Sequence, residues 1–197
     1  MAYKEQLEYV MSVKEKMPHY FQNQKVLEVG SLNINGSVRP FFENCDYLGI
    51  DVGAGTDVDL VCSGHEFIAP EATYNVVTSN ECFEHNPFWV ETLKNMIFLC
   101  KKGGLVIVTC TSDNFPEHGT RRTTGQDCPL TQNLTYKIDD LKFPWYSYYQ
   151  NLNEKDFRKS LNFDEHFSSY EFTDIIADSL KDWASDIHSL GFWGIKN

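Results

Sequence analysis

Lys25-Val-Leu-Glu-Val-Gly30-Ser-Leu-Asn-Ile-Asn-Gly36-Ser37, followed by Tyr47-Leu-Gly-Ile-Asp51, is the stretch on which the fold turns. It reads as a buried β-strand, a glycine-bearing turn, a helix start and a second strand that ends in a carboxylate. Gly30 and Asp51 stand 21 positions apart, close to the roughly 20-residue spacing at which an acidic residue meets the ribose of an adenine-bearing cofactor. A turn without bulky side chains lets a ligand approach the backbone. A carboxylate accepts hydrogen bonds from two neighbouring ribose hydroxyls.

The 197 residues fit one domain, 1–197, long enough to bury a sizeable core. The formal net charge of -11 opposes a phosphate backbone, which disfavours a nucleic-acid substrate. Arg121-Arg122 is a local exception, too small to reverse that balance. Six cysteines occur without a C-x-x-C pair, so neither zinc nor a redox dithiol is indicated and no metal is expected. The N-terminus lacks an apolar signal segment, and no run approaches the length of a membrane span. A cytoplasmic, reduced setting is the expectation.

Along the chain, residues 3–17 read as an amphipathic helix stopped by Pro18. Strands are expected at 25–31, 46–52, 58–62, 74–79 and 105–109. Asn33 and Asn35 can take left-handed geometry in the long first turn, and Pro40 limits 36–44 to an irregular helix. Asn86-Pro87 predicts a helix cap and first residue, with the helix running from about Phe88 to Cys100. Lys101-Lys102-Gly103-Gly104 then reads as its stop. Residues 112–150 show no clear period and form an expected active-site lid or insertion. A short capped helix follows at 153–161, then two strand-like runs, 168–176 and 187–195, that can pair antiparallel. The expected fold is therefore α/β and Rossmann-like: a mostly parallel seven-stranded sheet, helices on both faces, and an antiparallel C-terminal edge strand.

Four of these segments together resemble a class I S-adenosylmethionine-dependent methyltransferase of the small-molecule group. Val26-Leu-Glu-Val-Gly30 is similar to the family's first motif, and Tyr47-Leu-Gly-Ile-Asp51 to its second. Tyr74-Asn-Val-Val-Thr-Ser-Asn-Glu-Cys-Phe-Glu84-His85 resembles the fourth-strand motif with its hydrophobic-Glu-His ending. Leu99-Cys-Lys-Lys-Gly-Gly-Leu-Val-Ile-Val108 resembles the helix-to-fifth-strand motif. The resemblance implies S-adenosyl-L-methionine as cofactor, with Glu28 beneath its methionine part, Gly30 giving the backbone room, and Asp51 on the ribose diol. It further places Val52 on the adenine, Ser63 and His65 at the adenine edge, and Asn80 and Glu81 beside the amino-acid moiety and the methyl group. Leu32 replaces the middle glycine of the family's G-x-G-x-G turn, and Ser31 or Asn35 can supply polar contacts instead.

The acceptor is expected to be a small molecule methylated on oxygen or nitrogen. His118 is the candidate general base, with Glu117 as orienting partner and His85 as runner-up. Arg121 and Arg122 can bind a carboxylate or phosphate of the acceptor, and Tyr148 or Tyr149 can reach it. Two other readings share the fold. A nicotinamide-dependent oxidoreductase predicts the G-x-G-x-x-G turn and continued strand–helix alternation, both absent. A catalytically inactive binding module predicts cofactor binding without product.

Overall fold

The computed structural model describes residues 3–112, 115, 118, 152–178 and 188–197. The elements in order are α1 (Lys4–Lys16), β1 (Lys25–Val29), β2 (Asp46–Asp51), β3 (Leu60–Val61), β4 (Tyr74–Asn80), α2 (Trp89–Leu99), β5 (Cys100–Thr111), α3 (Glu154–Ser160), α4 (Phe163–His166), β6 (Phe167–Ile176) and β7 (His188–Lys196). Seven strands form one sheet in the order β3-β2-β1-β4-β5-β7-β6. β1 to β5 are parallel to their neighbours. β7 runs antiparallel between β5 and β6, so the terminal pair closes one end of the sheet as a hairpin-like unit.

Period-two alternation sends side chains to two faces. Val26, Val76, Leu105 and Ile107 pack against Tyr9, Val10 and Val13 of α1. Leu27, Val29, Val77, Val106 and Val108 pack against Leu93, Met96 and Ile97 of α2. The β5 segment from Leu105 to Thr111 is buried throughout, as its unbroken apolar run predicts. Each fully buried aliphatic side chain contributes about 1.5–3 kcal/mol relative to exposure. Two helix layers on one sheet thus make the scaffold rigid where the strands end.

Three boundaries differ from the sequence reading. The helix cap expected at Asn86 falls at Phe88, because the Asn86 side chain accepts the Phe88 N–H at 2.9 Å and donates to Thr92 Oγ1 at 2.8 Å. That local turn delays the helix by two residues. Lys101 and Lys102 do not lie in the last turn of α2; the chain enters β5 directly at Cys100 and bulges before Leu105, with Gly103 at φ +69°. The stretch 36–44 forms only a 3-10 turn at Arg39–Phe41.

The order β2-β1-β4 reverses the direction of winding between β1 and β4. In parallel sheets a ligand crevice opens at such a point, outside the carboxyl ends of the strands. Gly30, Asp51, Asn80 and Glu81 all stand at that edge.

Candidate active site

The glycine at the end of β1 is required twice over. Its φ is +82°, and a Cβ there would stand 2.5 Å from Cys82 Cβ. Its N–H and that of Ser31 both donate to the Ile50 carbonyl, at 2.8 and 3.1 Å, which ties the turn to the end of β2. The chain then runs beside the loop after β2. Leu32 N–H donates to Asp51 Oδ2 at 3.2 Å and Gly53 N–H to Asp51 Oδ1 at 2.9 Å. Asn33 Nδ2 donates to Asp57 Oδ2 at 2.8 Å, and Arg39 reaches Asp59 Oδ2 at 2.6 Å and the Asp57 carbonyl at 3.2 Å. The departure from G-x-G-x-G is therefore compensated by side-chain ties. Asn33 and Asn35 do not adopt the left-handed geometry expected of them: Gly30 and Gly36 do. Asn33 serves instead as a bracket, since its Oδ1 also accepts the Gly36 N–H.

Asp51 is thus held by one backbone N–H on each carboxylate oxygen. Each oxygen retains lone-pair capacity for a further donor, which suits a ribose diol. Glu28 lies buried in β1, and Tyr47 Oη donates to its Oε2 at 2.8 Å. Burial pushes its carboxyl up to about 7, against the opposite pull of hydrogen bonds from Tyr47 and Asn80. Asn80 donates through Nδ2 to Thr78 Oγ1 at 3.0 Å, while its buried Oδ1 has no hydrogen-bond partner among the described residues. Ser31 lies against Gly49, and its buried hydroxyl likewise lacks a partner there. Buried polar atoms of this kind at a sheet's carboxyl edge are costly unless a ligand meets them. The residues present therefore fit an adenosyl amino acid.

Beyond β3, Ser63 Oγ and His65 Nδ1 are 2.9 Å apart, and the His65 ring stacks on Phe88 with centroids at 4.2 Å. Val52 is half-buried beside Asp51. Phe88 was not singled out from the sequence. Its apolar character at a helix start gives no signal until the stack with His65 is seen.

The exits of β4 and β5 are different in chemistry. Glu81 is buried with φ +51°, a left-handed conformation that costs a non-glycine residue about 1–2 kcal/mol. Its N–H donates to the Thr109 carbonyl at 2.9 Å. Burial raises its carboxyl above the usual carboxylate range despite hydrogen bonds with Gln6 and Thr109. It therefore lies toward α1 and β5. Glu84, on a 3-10 turn at Phe83–His85, is fully buried, and burial with the nearby Glu81 charge holds its carboxyl well above the ordinary range. Burial and the neighbouring His118 push His85 well below the ordinary histidine value, so its imidazole is neutral.

His85 and His118 meet edge to face with centroids at 4.8 Å, and Phe115 lies 4.9 Å from His118 and 6.0 Å from the Tyr3 ring. Tyr3 Oη and Gln6 Nε2 both reach Ser189 Oγ, at 2.5 and 3.2 Å. The first turn of α1 thus stands over this corner together with β7. The structure brings the two predicted histidines together. Glu117, Arg121, Arg122, Tyr148 and Tyr149 lie outside the described residues. Tyr3, Gln6, Ser189 and Glu84 were not assigned roles from the sequence, although the Glu81-x-x-Glu84-His85 spacing was the available signal.

A family model described as a methyltransferase domain matches residues 3–152. No curated protein matches by sequence. Among solved structures, the chain is similar to Burkholderia thailandensis 1,6-didemethyltoxoflavin-N1-methyltransferase with bound 1,6-didemethyltoxoflavin and S-adenosylhomocysteine, at TM-score 0.65 and 13% identity, over 98% of this chain and 78% of that one. It is similar also to Haemonchus contortus phosphoethanolamine N-methyltransferase 2 in complex with S-adenosyl-L-methionine, at 0.61 and 13%, over 96% and 52%. A third likeness is to the CurJ carbon methyltransferase, at 0.57 and 15%, over 98% and 54%. The chain spans about half the length of the last two. At these identities the likeness establishes the fold.

Proposed function

Since the chain belongs to the methyltransferase domain family, as a class I S-adenosylmethionine-dependent enzyme, we propose that it methylates an oxygen or nitrogen of a small-molecule acceptor in the cytoplasm. The observation that carries this reading is the juxtaposition of two unlike sites on one sheet edge. Asp51 stands at the exit of β2, and the Glu84–His85–His118 corner stands beyond β4. When bound, S-adenosylmethionine supplies an electrophilic methyl group on a sulfonium, so the protein's task is mainly alignment.

In this reading Asp51 holds the ribose, Gly30 lets the backbone approach, and Glu28 with Asn80 faces the amino-acid end. Val52, Ser63 and His65 line the adenine, with Phe88 behind His65. His85, kept neutral by burial, and His118 face the reacting group of the acceptor and orient it. Tyr3, Gln6 and Phe115 cover the corner and keep water from it. The acid-rich surface, at net charge -11, favours a small acceptor over nucleic acid. Five free cysteines among the described residues accord with a reducing compartment. No helix of the described residues is long and apolar enough to cross a membrane.

The test is a panel of hydroxyl- and amine-bearing metabolites, read as S-adenosylhomocysteine release. With the acceptor in hand, His118→Ala and His85→Ala should each lower turnover by ~10²–10⁴ while leaving S-adenosylhomocysteine affinity unchanged. Unchanged turnover in both variants would remove the imidazoles from the reaction.

A further inference from the structure

Among the described residues, Glu84, His85 and His118 each direct one donor atom into the same small volume, with those atoms no farther than 4.8 Å apart. Two independent features make this more than proximity. Glu84 is 0% exposed, and apart from the neighbouring Glu81 carboxyl and its own backbone its carboxylate oxygens meet no hydrogen-bond partner among the described residues. No lysine or arginine there pairs with it either. A carboxylate so placed costs on the order of several kcal/mol unless a cation or a proton neutralises it. The donor set itself is the second feature. Two imidazoles and one carboxylate form the set that holds zinc, iron or manganese while leaving coordination positions open.

The local fold favours the arrangement. His85 N–H donates to the Cys82 carbonyl and Asn86 N–H to the Phe83 carbonyl, both at 3.1 Å, so Glu84 and His85 ride on a pinned turn. The His118 ring is held between His85 and Phe115. Donor atoms around a shared tetrahedral cation at ~2.1 Å would stand ~3.4 Å apart, so the widest pair needs to close by about 1.4 Å at most.

We propose that Glu84, His85 and His118 bind a divalent cation of the zinc or manganese(II) class, and that the acceptor comes to the methyl as an oxygen ligand of that cation. The proposal rests on the methyl-transfer reading and sharpens it, because it selects a hydroxyl-bearing acceptor over an amine. The lone pairs that face the acceptor are given to the cation, and the cation in turn holds the acceptor oxygen and eases release of its proton to water. The competing account is a proton shared between the buried Glu81 and Glu84 carboxyls, which needs no metal.

The experiment uses the full chain, stripped of metal by chelation and titrated calorimetrically with ZnCl₂, MnCl₂ and MgCl₂. The same samples are titrated with S-adenosylhomocysteine. One equivalent of Zn²⁺ or Mn²⁺ should bind, with Mg²⁺ weaker because it prefers an all-oxygen shell. Glu84→Gln and His118→Gln should each weaken that binding by more than ~10-fold, the least that even outer-shell changes cost. Both variants should still unfold in a single cooperative transition and keep wild-type S-adenosylhomocysteine affinity. A Co²⁺-loaded sample should show no thiolate charge-transfer band, which sets the cysteines aside. No heat from Zn²⁺ or Mn²⁺, or binding that survives both substitutions, overturns the cation site and favours the shared proton. Failure to bind S-adenosylhomocysteine would instead bring down the methyl-transfer reading, whatever the cation does.

Discussion

At the exits of β1 and β2, polar groups are largely matched to one another: both Asp51 oxygens, Asn33, Arg39 and Asp59 are engaged within the protein. At the exits of β4 and β5, two buried carboxyls and a half-buried imidazole crowd together, and Glu84 faces the like-charged Glu81. The first region is a cradle held in shape by its own ties, with the buried Ser31 hydroxyl left over for a ligand. The second carries electrostatic cost, with a left-handed Glu81 beside a buried Glu84. Strain of this kind is retained where chemistry uses it. On the proposed assignment, affinity for the cofactor and selection of the acceptor would be built from separate physical resources. Substitutions in one region should then leave the other's binding intact.

The largest effect is expected at Asp51. On the proposed reading two ribose hydroxyls would donate to its carboxylate, and hydrogen bonds to charged groups are worth about 1.5–3 kcal/mol each. Asp51→Ala should therefore lower S-adenosylhomocysteine affinity by at least ~100-fold in calorimetry. The acceptor corner should keep its own ligand behaviour. If Glu84→Gln cost as much cofactor affinity as Asp51→Ala, the two regions would be one site and the comparison would break.

A smaller effect is expected at the seam between them. Gly30 ends β1, yet the atom its Cβ would strike belongs to Cys82, at the start of the acceptor side. Gly30→Ala combines left-handed strain of about 1–2 kcal/mol with overpacking of about 1–3 kcal/mol. A total of about 2–5 kcal/mol corresponds to a melting temperature lower by roughly 4–20 °C. In a Cys82→Gly background, which lacks both the Cβ and the Sγ that the added methyl would strike, Gly30→Ala should cost the left-handed strain alone. An undiminished cost there would mean that the two edges do not touch through this contact.

How legible each region was follows from the range of its interactions. The cradle is local: a strand, Gly30, and Asp51 one strand later, all inside 27 residues of sequence. The helices α1 and α2 and the strand β5 were visible because each keeps one periodicity throughout. Their ends were less so, since Asn86 bonds the Phe88 N–H and β5 starts without a linker. The acceptor corner depends on contacts between the two ends of the chain. Tyr3 and Ser189 are 186 positions apart, and they meet because α1 crosses the sheet edge where β7 runs antiparallel to β5. The Glu81-x-x-Glu84-His85 spacing was on view, but burial decides whether such carboxylates are solvated or confined, and burial was not.

The finest distinction between the regions is in how the cradle's own buried acid titrates. Glu28 ionises near 4.5 in an unfolded chain and near about 7 in the fold, because burial disfavours its charge. Below the lower value it is neutral in both states, and its contribution to stability is fully present. Between the two values the unfolded chain loses the proton while the fold keeps it, so stability declines by up to ~1.4 kcal/mol per pH unit. Above about 7 both states are ionised and the decline stops. The difference in unfolding free energy between wild type and Glu28→Gln, followed by urea melts from pH 4 to 8, should show that slope and plateau. Glu81 and Glu84 are present in both proteins, so their raised values cancel in the difference. Saturating S-adenosylhomocysteine, whose ammonium group would stand against an ionised Glu28, should flatten the wild-type decline. If the ligand left the slope untouched, Glu28 would belong to the core of the sheet and not to the cradle.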